Sequence, residues 1–341
     1  GFTRLKTSLQ HYNLWRDTDA DRIIPESGDL SLPRLGIRQT IFDRLATKLD
    51  VIYHCGSWVN VLYPYTSLEA ANVRGTQEVL RLASQSRVKP VHYVSTVDVF
   101  AASNNLQIRT IRETGDSSCM GPVRSLFSGY ANSIYVAETL MQEAHSRGIP
   151  MIIYRPSNIM GDTTSGICST ASFVTKMIQG CIQAGVAPDI DAALNLVPVD
   201  YVSRAIVHLS LTQSPKGQAF NIVNPQSYRW NQLVDWMRNQ QGYALKQVAY
   251  ETWCSEVINV VSQDQDHPLF FLTTFFTNLP FIQKSLGAFH FQCHQLQTAL
   301  SESSVECAEV KNELLQLYFN AFVAQNLIPA AAQAKPALMA A

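Results

Sequence analysis

Two hydroxyl-bearing segments of this chain have residue types that could act together on a carbonyl group. Ser95 and Thr96 end the apolar run PVHYVST, and Tyr130 opens the helical run GYANSIYVAETL. When a hydride adds to a carbonyl carbon, a tyrosine hydroxyl can supply a proton to the oxygen while a threonine hydroxyl holds the same oxygen. We therefore predict that Thr96 and Tyr130 are the catalytic residues of a carbonyl reduction.

The residue one helical turn after Tyr130 is unusual for this chemistry. A nearby cation favours the ionised form of a tyrosine, whose unperturbed pKa is about 10. A lysine four positions later would lie on the correct helix face, but that position is Ile134. Ile134 continues an apolar stripe with Ala137 and Met141, which predicts that its side chain packs towards a sheet.

Short apolar strands alternating with helices would have to position these hydroxyls. The strands lack a polar and apolar alternation, which is typical of a parallel sheet that is covered on both faces. We therefore predict an α/β fold, a Rossmann-like doubly wound parallel sheet. The predicted helices span residues 2–12, 39–49, 67–86 and 130–147, and the predicted strands span residues 22–25, 51–54, 91–95 and 151–154.

The alternation fades after residue 224, and helices dominate the remainder. This indicates a Rossmann-like domain at 1–224 and a mostly helical subdomain at 225–328. The tail at 329–341 is rich in alanine and proline with little to bury, so we predict that it is disordered. Aromatic residues of the helical part would either line a substrate site or form ordinary core. They are Trp230, Trp236, Tyr243 and Trp253.

Small and turn-forming residues follow two of the predicted strands, at the position where open α/β sheets bind ligands. Gly56 and Ser57 follow one strand, and Pro156 and Asn158 follow another. Small residues there would let a dinucleotide lie against the strand end, although a packed turn fits equally well. Asn72 in the intervening helix would either bond to backbone near the site or face solvent.

Composition excludes several classes of function. The net charge of −1 gives no electrostatic case for binding nucleic acid or an anionic membrane. No apolar run reaches membrane-spanning length, and no metal-ligand motif is present, so we predict neither a membrane partner nor a metal site. The seven cysteines are scattered without a C-x-x-C pair, which is typical of reduced thiols in a cytoplasmic protein.

Taken together, the segments resemble the thioester reductase domain that ends many nonribosomal peptide synthetases, an extended short-chain dehydrogenase/reductase. The resemblance extends from the first residues to about Pro329. It implies NADPH as the cofactor and, as substrate, a thioester on the phosphopantetheine arm of a carrier protein. The product would be an aldehyde or, after a second reduction, an alcohol. Matching stretches include ANVRGTQEVLRLA, KPVHYVSTVDVF, GYANSIYVAETL, YRPSNIMGD and LVPVDYVSRAIVHLS.

The resemblance also assigns roles to individual residues. Thr96 would hold the carbonyl oxygen and Tyr130 would donate the proton. The helical subdomain at 225–328 would bind the substrate and the carrier protein. The residues that would contact NADPH are Asp29 and Leu30 at the adenine, Gly56, Ser57, Asn72 and Ser95 along the cofactor, and Pro156 and Asn158 near the nicotinamide.

Two departures from the family pattern keep other interpretations open. Ile134 stands where the family has lysine, and the sequence contains no glycine-rich loop of the kind that cradles a pyrophosphate. We therefore expect a fragment that lacks the first βαβ half of the fold. One alternative is an impaired pseudoenzyme that only binds carrier protein or nucleotide. Another is a different extended short-chain enzyme, such as a sugar-nucleotide epimerase.

Overall fold

The computed structural model describes residues 1–60, 62–102, 110–113, 128–270 and 290–331 of the chain. Short strands alternate with helices through the first half. The helices are α1 (Phe2–His11), α2 (Gln39–Lys48), α3 (Tyr65–Glu69), α4 (Gly75–Ser84) and α5 (Gly129–Ser146). The strands are β1 (Ile52–His54), β2 (Val91–Val94), β3 (Thr110–Ile111) and β4 (Met151–Pro156).

The second half has longer helices and very short strands. The helices are α6 (Phe173–Ala184), α7 (Val199–Thr212), α8 (Trp230–Asn239), α9 (Tyr250–Gln263), α10 (His294–Leu300) and α11 (Asn312–Ala324). The strands are β5 (Asn158–Met160), β6 (Val186–Asp189), β7 (Ala193–Leu194), β8 (Leu196–Pro198), β9 (Ala219–Ile222), β10 (Tyr228–Arg229), β11 (Lys246–Ala249) and β12 (His290–Phe291).

The main sheet has four parallel strands in the order β1-β2-β4-β9. Successive side chains of a strand point to opposite faces, so Ile153 and Tyr154 of β4 belong to two different cores. On one face Ile153 shares a core with Val79 of α4 and Met141 of α5. On the other face Tyr154 shares a core with Leu209 of α7. The prediction of a Rossmann-like, doubly wound parallel sheet is therefore confirmed.

The helix predicted at 67–86 is interrupted in its middle. α3 and α4 are joined by a π-helical turn, Ala70–Arg74. Such a turn adds a residue to the helix and changes the direction of its side chains, and π-turns often occur at functional sites. Here the turn contains Asn72, whose side chain is almost completely buried.

The strand predicted at 22–25 is wrong. A 3₁₀ turn, Asp17–Arg22, precedes an irregular segment in which Ile24 is 82% exposed. Pro25 has no backbone N–H to donate to a neighbouring strand, and two isoleucines alone make too short a run to hold an edge position.

Residues on both sides of position 224 share one large core. Val174 and Ile178 of α6 pack with Trp253 of α9 and Phe319 of α11. The predicted boundary between 1–224 and 225–328 remains a prediction, because this core joins the segment around α6 to the C-terminal helices.

The four aromatic residues singled out in the sequence all lie in this core. Their side chains are between 2% and 6% exposed. The interpretation of these rings as ordinary core is therefore confirmed. They are Trp230, Trp236, Tyr243 and Trp253.

Three further properties concern only the part of the chain that the structure describes. No helix there is both long and apolar enough to span a membrane. No three potential metal ligands cluster there. Six cysteines are described and all are free thiols, while Cys119 and residues 332–341 of the predicted disordered tail lie outside the described residues.

Candidate active site

Tyr130 lies in the first turn of α5, beside the carboxyl ends of the parallel strands. Ser128 caps this helix, because its hydroxyl accepts the amide N–H of Ala131 at 3.1 Å. Serine is a favoured N-cap residue since its side chain satisfies a free amide of the first turn. The cap fixes where α5 begins and therefore where Tyr130 points.

The Tyr130 side chain is buried at the edge of an apolar cluster, but it also lines a cavity. The Ser57 side chain, which follows β1, is a neighbour of its hydroxyl. Burial and the negative charge of Asp98 raise the pKa of Tyr130 to about 12, and the neighbouring Ser57 side chain opposes this rise. At neutral pH Tyr130 is therefore a neutral phenol that can donate its proton.

Thr96 lies just after β2 and is linked to Asp98 by a hydrogen bond. The backbone N–H of Asp98 donates to Thr96 Oγ1 at 3.2 Å. Asp98 faces the open cavity, yet protein surrounds it on its other sides, and this burial raises its pKa. Thr96 and Tyr130 are thus both neighbours of a carboxyl group that sequence reasoning missed.

Ile134 is 2% exposed and is surrounded by apolar side chains, among them Leu68 and Phe100. The expectation that it packs into the fold is confirmed. Ile134 itself carries no charge, so this position does not supply the cation that would lower the pKa of Tyr130.

Asn72 is a buried residue that holds two parts of the site together. Its Oδ1 accepts the backbone N–H of Trp58 at 2.7 Å, and its Nδ2 donates to the Trp58 carbonyl at 3.2 Å. Nδ2 also donates to Ser133 Oγ at 2.9 Å, and Ser133 in turn donates to the Tyr130 carbonyl at 2.8 Å. Asn72 therefore fixes the backbone that follows Ser57 relative to the helix that carries Tyr130.

Ser95 belongs to a buried polar network and not to the cavity wall. Its hydroxyl donates to Glu138 Oε2 at 2.7 Å. Glu138 forms an ion pair with Arg155, and both side chains are completely buried. The Arg155 guanidinium also lies over the ring of Phe100, 4.9 Å from its centroid. This network connects the ends of β2 and β4 with α5 directly beneath the site.

The residues predicted at the adenine end of a cofactor lie beside the turn after β1. A Cβ atom added to Gly56 would lie 2.9 Å from Leu30 Cδ1, and one added to Gly75 would lie 2.8 Å from the Leu30 carbonyl oxygen. At Gly75 the contact is with backbone, so only glycine allows so close an approach there. Asp29 accepts hydrogen bonds from the amide and hydroxyl of Ser31, and these bonds hold its pKa below the usual range.

Asn158 and Pro156 are positioned by the end of β4 and by β5. Pro156 is buried at the last position of β4, whereas Asn158 lines the cavity. The amide of Asn158 donates to the Asn195 carbonyl at 3.2 Å. Of the residues predicted from the sequence, Tyr130 and Asn158 line the cavity, Ser57 is a neighbour of the Tyr130 hydroxyl, and Asn72 and Thr96 bond to the surroundings of the cavity.

The cavity has a volume of about 800 Å³. Its walls are mainly apolar, with contributions from the β5 region and the first turns of α6 and α7. Asp162, Asp200 and Lys176 add charged groups to the wall.

Sequence reasoning identified neither Lys176 nor the contribution of Tyr12 from the end of α1. A possible signal for Asp98 was its position two residues after the predicted catalytic threonine. The main apolar lining residues are Leu14, Val59, Leu62, Ile159, Phe173 and Val199.

These features define the ligand site of a dinucleotide-dependent reductase fold, and the comparisons with known proteins agree. Residues 1–206 match the family of NAD-binding domains described as male sterility protein. Because this match covers more than half of the chain, the chain belongs to that family. The match supports a nicotinamide dinucleotide as the cofactor.

Similar proteins include synthetases and a solved reductase domain. The chain is 36% identical over 314 residues to a linear gramicidin synthase protein of Brevibacillus parabrevis, covering 92% of this chain and 6% of that protein. It is 31% identical over 264 residues to the non-canonical nonribosomal peptide synthetase hkm10 of Aspergillus hancockii, covering 75% of this chain and 26% of that protein. The chain thus spans a small part of these relatives.

The crystal structure of the terminal R domain from the myxalamid PKS-NRPS biosynthetic pathway superimposes with a TM-score of 0.87 at 38% identity. The match covers 97% of this chain and 82% of that one. This chain is therefore related to a terminal reductase domain over nearly its whole length, which confirms the resemblance stated from its motifs.

Proposed function

We propose that this protein reduces an acyl or peptidyl thioester on a phosphopantetheinyl carrier protein to an aldehyde or alcohol, with NADPH as the hydride donor. The observation that carries the proposal is the position of the Tyr130 hydroxyl. Tyr130 lines an apolar cavity at the carboxyl end of the parallel sheet together with Asp98, and the Ser57 side chain is a neighbour of its hydroxyl.

The proposed roles of the site residues follow from their protonation and contacts. Tyr130 is a neutral phenol, so it donates a hydrogen bond and then a proton to the carbonyl oxygen as negative charge develops there. Thr96 supplies a second hydroxyl to the same oxygen. Ser57 keeps the phenol oriented. A bound NADPH supplies the hydride.

The described residues fit the two ends of a dinucleotide. Leu30 and Asp29, with Gly56 and Ser57, would border the adenine side, and Pro156 and Asn158 would border the nicotinamide. Asn72 and Ser95 would support the cofactor only through the backbone and the buried network that they hold. The sequence contains no glycine-rich loop, so no residue is assigned to the pyrophosphate.

The cavity wall favours an apolar acyl chain as the substrate. Phe173 of α6 and Val199 of α7 are each 40% exposed and line the cavity. Burying such side chains against an acyl chain would contribute roughly 25 cal/mol per Å² of apolar surface removed from water. The helical part at 225–328 would support this wall from behind through the shared core and would receive the carrier protein.

The test is a thioester reduction assay on the full natural protein. A carrier protein loaded with an apolar acyl chain is mixed with NADPH, and NADPH oxidation is followed together with trapping of the aldehyde. We expect oxidation that depends on the thioester, and the free acid of the same chain serves as the control. NADPH binding without any thioester-dependent oxidation would overturn the proposal.

A second candidate is a protein that binds nucleotide or carrier without turnover, and Ile134 is the observation that favours it. The assay separates the two, since the binding-only protein would retain carrier and NADPH affinity with no product. If the acyl-loaded carrier protein is replaced by a sugar nucleotide, its epimerisation would instead indicate a sugar-nucleotide epimerase.

A further inference from the structure

Asn158 lines the same cavity as Tyr130, and its side-chain amide has one fixed orientation. Its Nδ2 donates to the backbone carbonyl of Asn195 at 3.2 Å. Because a backbone carbonyl can only accept a hydrogen bond, Nδ2 must face Asn195, and Oδ1 is the end that remains. Among the described residues no group donates to this Oδ1, and the oxygen is not buried. It is therefore an acceptor that a ligand in the cavity can reach.

The carbonyl that anchors this amide is itself held in place. It also accepts the backbone N–H of Asn158 at 3.2 Å and the Ser157 hydroxyl at 2.8 Å. The Asn195 side chain pairs with the backbone of Asn224: its Oδ1 accepts the N–H at 2.9 Å, and its Nδ2 donates to the carbonyl at 2.8 Å. Asn158 Oδ1 thus keeps its direction before a ligand binds, and such preorganisation lowers the entropic cost of binding.

The register of the sheet places Asn158 beside the reacting centre. Val94 of β2 pairs with Tyr154 of β4, so Thr96 and the end of β4 lie at the same level of the sheet. Asn158 begins β5 two residues after the end of β4. The open acceptor therefore lies at the same edge as the proposed catalytic hydroxyls of Thr96 and Tyr130.

Other polar lining residues already have partners inside the protein. The Oδ1 of Asn60 accepts the amides of Leu62 and Tyr63 at 2.9 and 3.1 Å. Asp200 forms an ion pair with Arg204. Of the two asparagines that line the cavity in the described part of the chain, Asn158 is thus the one with an open carbonyl oxygen. A neutral acceptor of this kind suits a neutral N–H donor.

We propose that Asn158 Oδ1 accepts an amide N–H of a reactant and thereby orients that reactant beside Tyr130. The inference rests on the proposed function. Two reactants carry such a group close to the reacting atoms. The pantetheine arm has an amide two methylene groups from the thioester sulfur, and the nicotinamide ring has a carboxamide next to the carbon that gives the hydride.

The experiment asks whether Asn158 discriminates between ligands that differ only in this N–H group. The full natural protein is compared as wild type, Asn158→Leu and Asn158→Ala. Leucine keeps the volume of asparagine without its acceptor, and alanine decides if the leucine variant does not fold. Both variants keep the backbone N–H of residue 158 and the Ser157 hydroxyl on the Asn195 carbonyl. Asn259→Leu, which alters an exposed residue of α9, is the control.

Two pairs of ligands distinguish the two sources of the N–H group. The first pair is an acyl thioester of N-acetylcysteamine and the same acyl thioester of 2-mercaptoethyl acetate, in which an ester oxygen replaces the N–H. The second pair is NADPH and its reduced 3-acetylpyridine analogue, in which a methyl ketone replaces the carboxamide. Dissociation constants are measured by calorimetry, with NADP⁺ present for the thioesters so that no reduction occurs. The ratio of kcat/KM for the two thioesters is measured separately with NADPH.

We expect the wild type to bind the N–H member of one pair about tenfold more tightly, since one hydrogen bond contributes roughly this much. Asn158→Leu and Asn158→Ala should bind both members of that pair equally, while Asn259→Leu keeps the preference. The pair that responds identifies the source of the N–H. A purely structural role would weaken both members alike and leave their ratio unchanged.

The outcomes that count against the two proposals are different. A wild type without a preference in either pair, or a preference that survives in both Asn158 variants, overturns the role of Asn158. Thioester reduction in the same samples would then leave the proposed function intact. Conversely, a binding preference that depends on Asn158 without reduction of any thioester overturns the proposed function and leaves the N–H site.

Discussion

The buried network beneath Tyr130 and the core of the C-terminal helices are built from different kinds of side chain. Beneath Tyr130, buried polar groups have specific partners: Asn72 holds backbone, and Ser95, Glu138 and Arg155 form one network. In the C-terminal core, aromatic rings pack on one another. Trp236 and Phe319, for example, lie 4.9 Å apart between centroids with their planes at 67°.

The two kinds of side chain constrain different properties. A hydrogen bond or ion pair in a buried site fixes direction, and leaving one partner unsatisfied is costly. Packed rings fill volume, and their cost when truncated depends on how far the surroundings collapse. We therefore expect substitutions near Tyr130 to affect activity as well as stability, whereas substitutions in the aromatic core should affect mainly stability.

The largest expected effect is on rate, and two tyrosines provide the comparison. Tyr130→Phe should lower thioester reduction by roughly 10²–10⁴, the usual contribution of a positioned proton donor, with little loss of stability. Tyr243→Phe removes a hydroxyl that donates to the Pro329 carbonyl at 2.8 Å, so it should lose about 1 kcal/mol of stability and keep its activity. Steady-state kinetics and denaturant unfolding of both variants check this, and equal rate losses would abolish the contrast.

The next effect is the loss of the buried ion pair. Glu138→Gln removes the carboxylate from the buried pair with Arg155 and should reduce the free energy of unfolding by about 3–5 kcal/mol. Glu143→Gln on the same helix breaks only the exposed pair with Arg147 and should cost less than about 0.5 kcal/mol. Urea unfolding of the two variants is the measurement, and similar midpoints would show that the buried pair has no special role.

A somewhat smaller loss is expected at Ile134. A lysine there would favour the ionised form of Tyr130, but it would have to place an ammonium group in the apolar cluster around Leu68 and Phe100. Ile134→Lys should therefore lower stability by about 3 kcal/mol, since burying an unpaired charge is among the costliest single changes. Ile134→Met conserves volume and should cost less than about 1.5 kcal/mol. Thermal unfolding at matched pH compares the two, and a fully stable lysine variant would mean that a partner for the ammonium exists nearby.

The smallest effect of a single side chain is a pH dependence of the sheet. Burial lowers the pKa of His54 and of His92 to about 4, so both are neutral in the folded protein. An unfolded histidine titrates near 6.5, so the stability they contribute is complete above that pH and is lost as pH falls towards 4. At about pH 5 we expect a loss of about 2 kcal/mol per histidine.

His92→Phe tests this pH dependence and keeps a ring between Tyr53 and Tyr154. It removes the hydrogen bond between the His92 ring and the Tyr154 hydroxyl, so at neutral pH it should be about 1 kcal/mol less stable than the wild type. On acidification its stability should decline less steeply, so the two curves should meet and cross before about pH 5. Parallel curves would mean that His92 does not titrate with unfolding.

Features that depend on neighbouring residues in the chain were predictable. The apolar runs of β1, β2 and β4 have the pattern of strands covered on both faces, so the parallel sheet could be inferred from the sequence. The apolar stripe that includes Ile134 and Met141 likewise predicted which face of α5 is buried. The strand expected at 22–25 failed because its two isoleucines gave a local signal without a partner strand.

Polar partners that are distant in the sequence were decided only by the tertiary structure. Asn72 bonds to Ser133 across 61 positions, and Ser95 bonds to Glu138 across 43 positions. Such pairs depend on the π-turn before α4 and on the register of β2 against β4, which no local pattern encodes. The sequence by itself therefore determined the sheet, its covering helices and the approximate place of Thr96 and Tyr130. The tertiary structure decided which polar groups support them, because a hydrogen bond needs both atoms within about 3 Å of each other and correctly aligned.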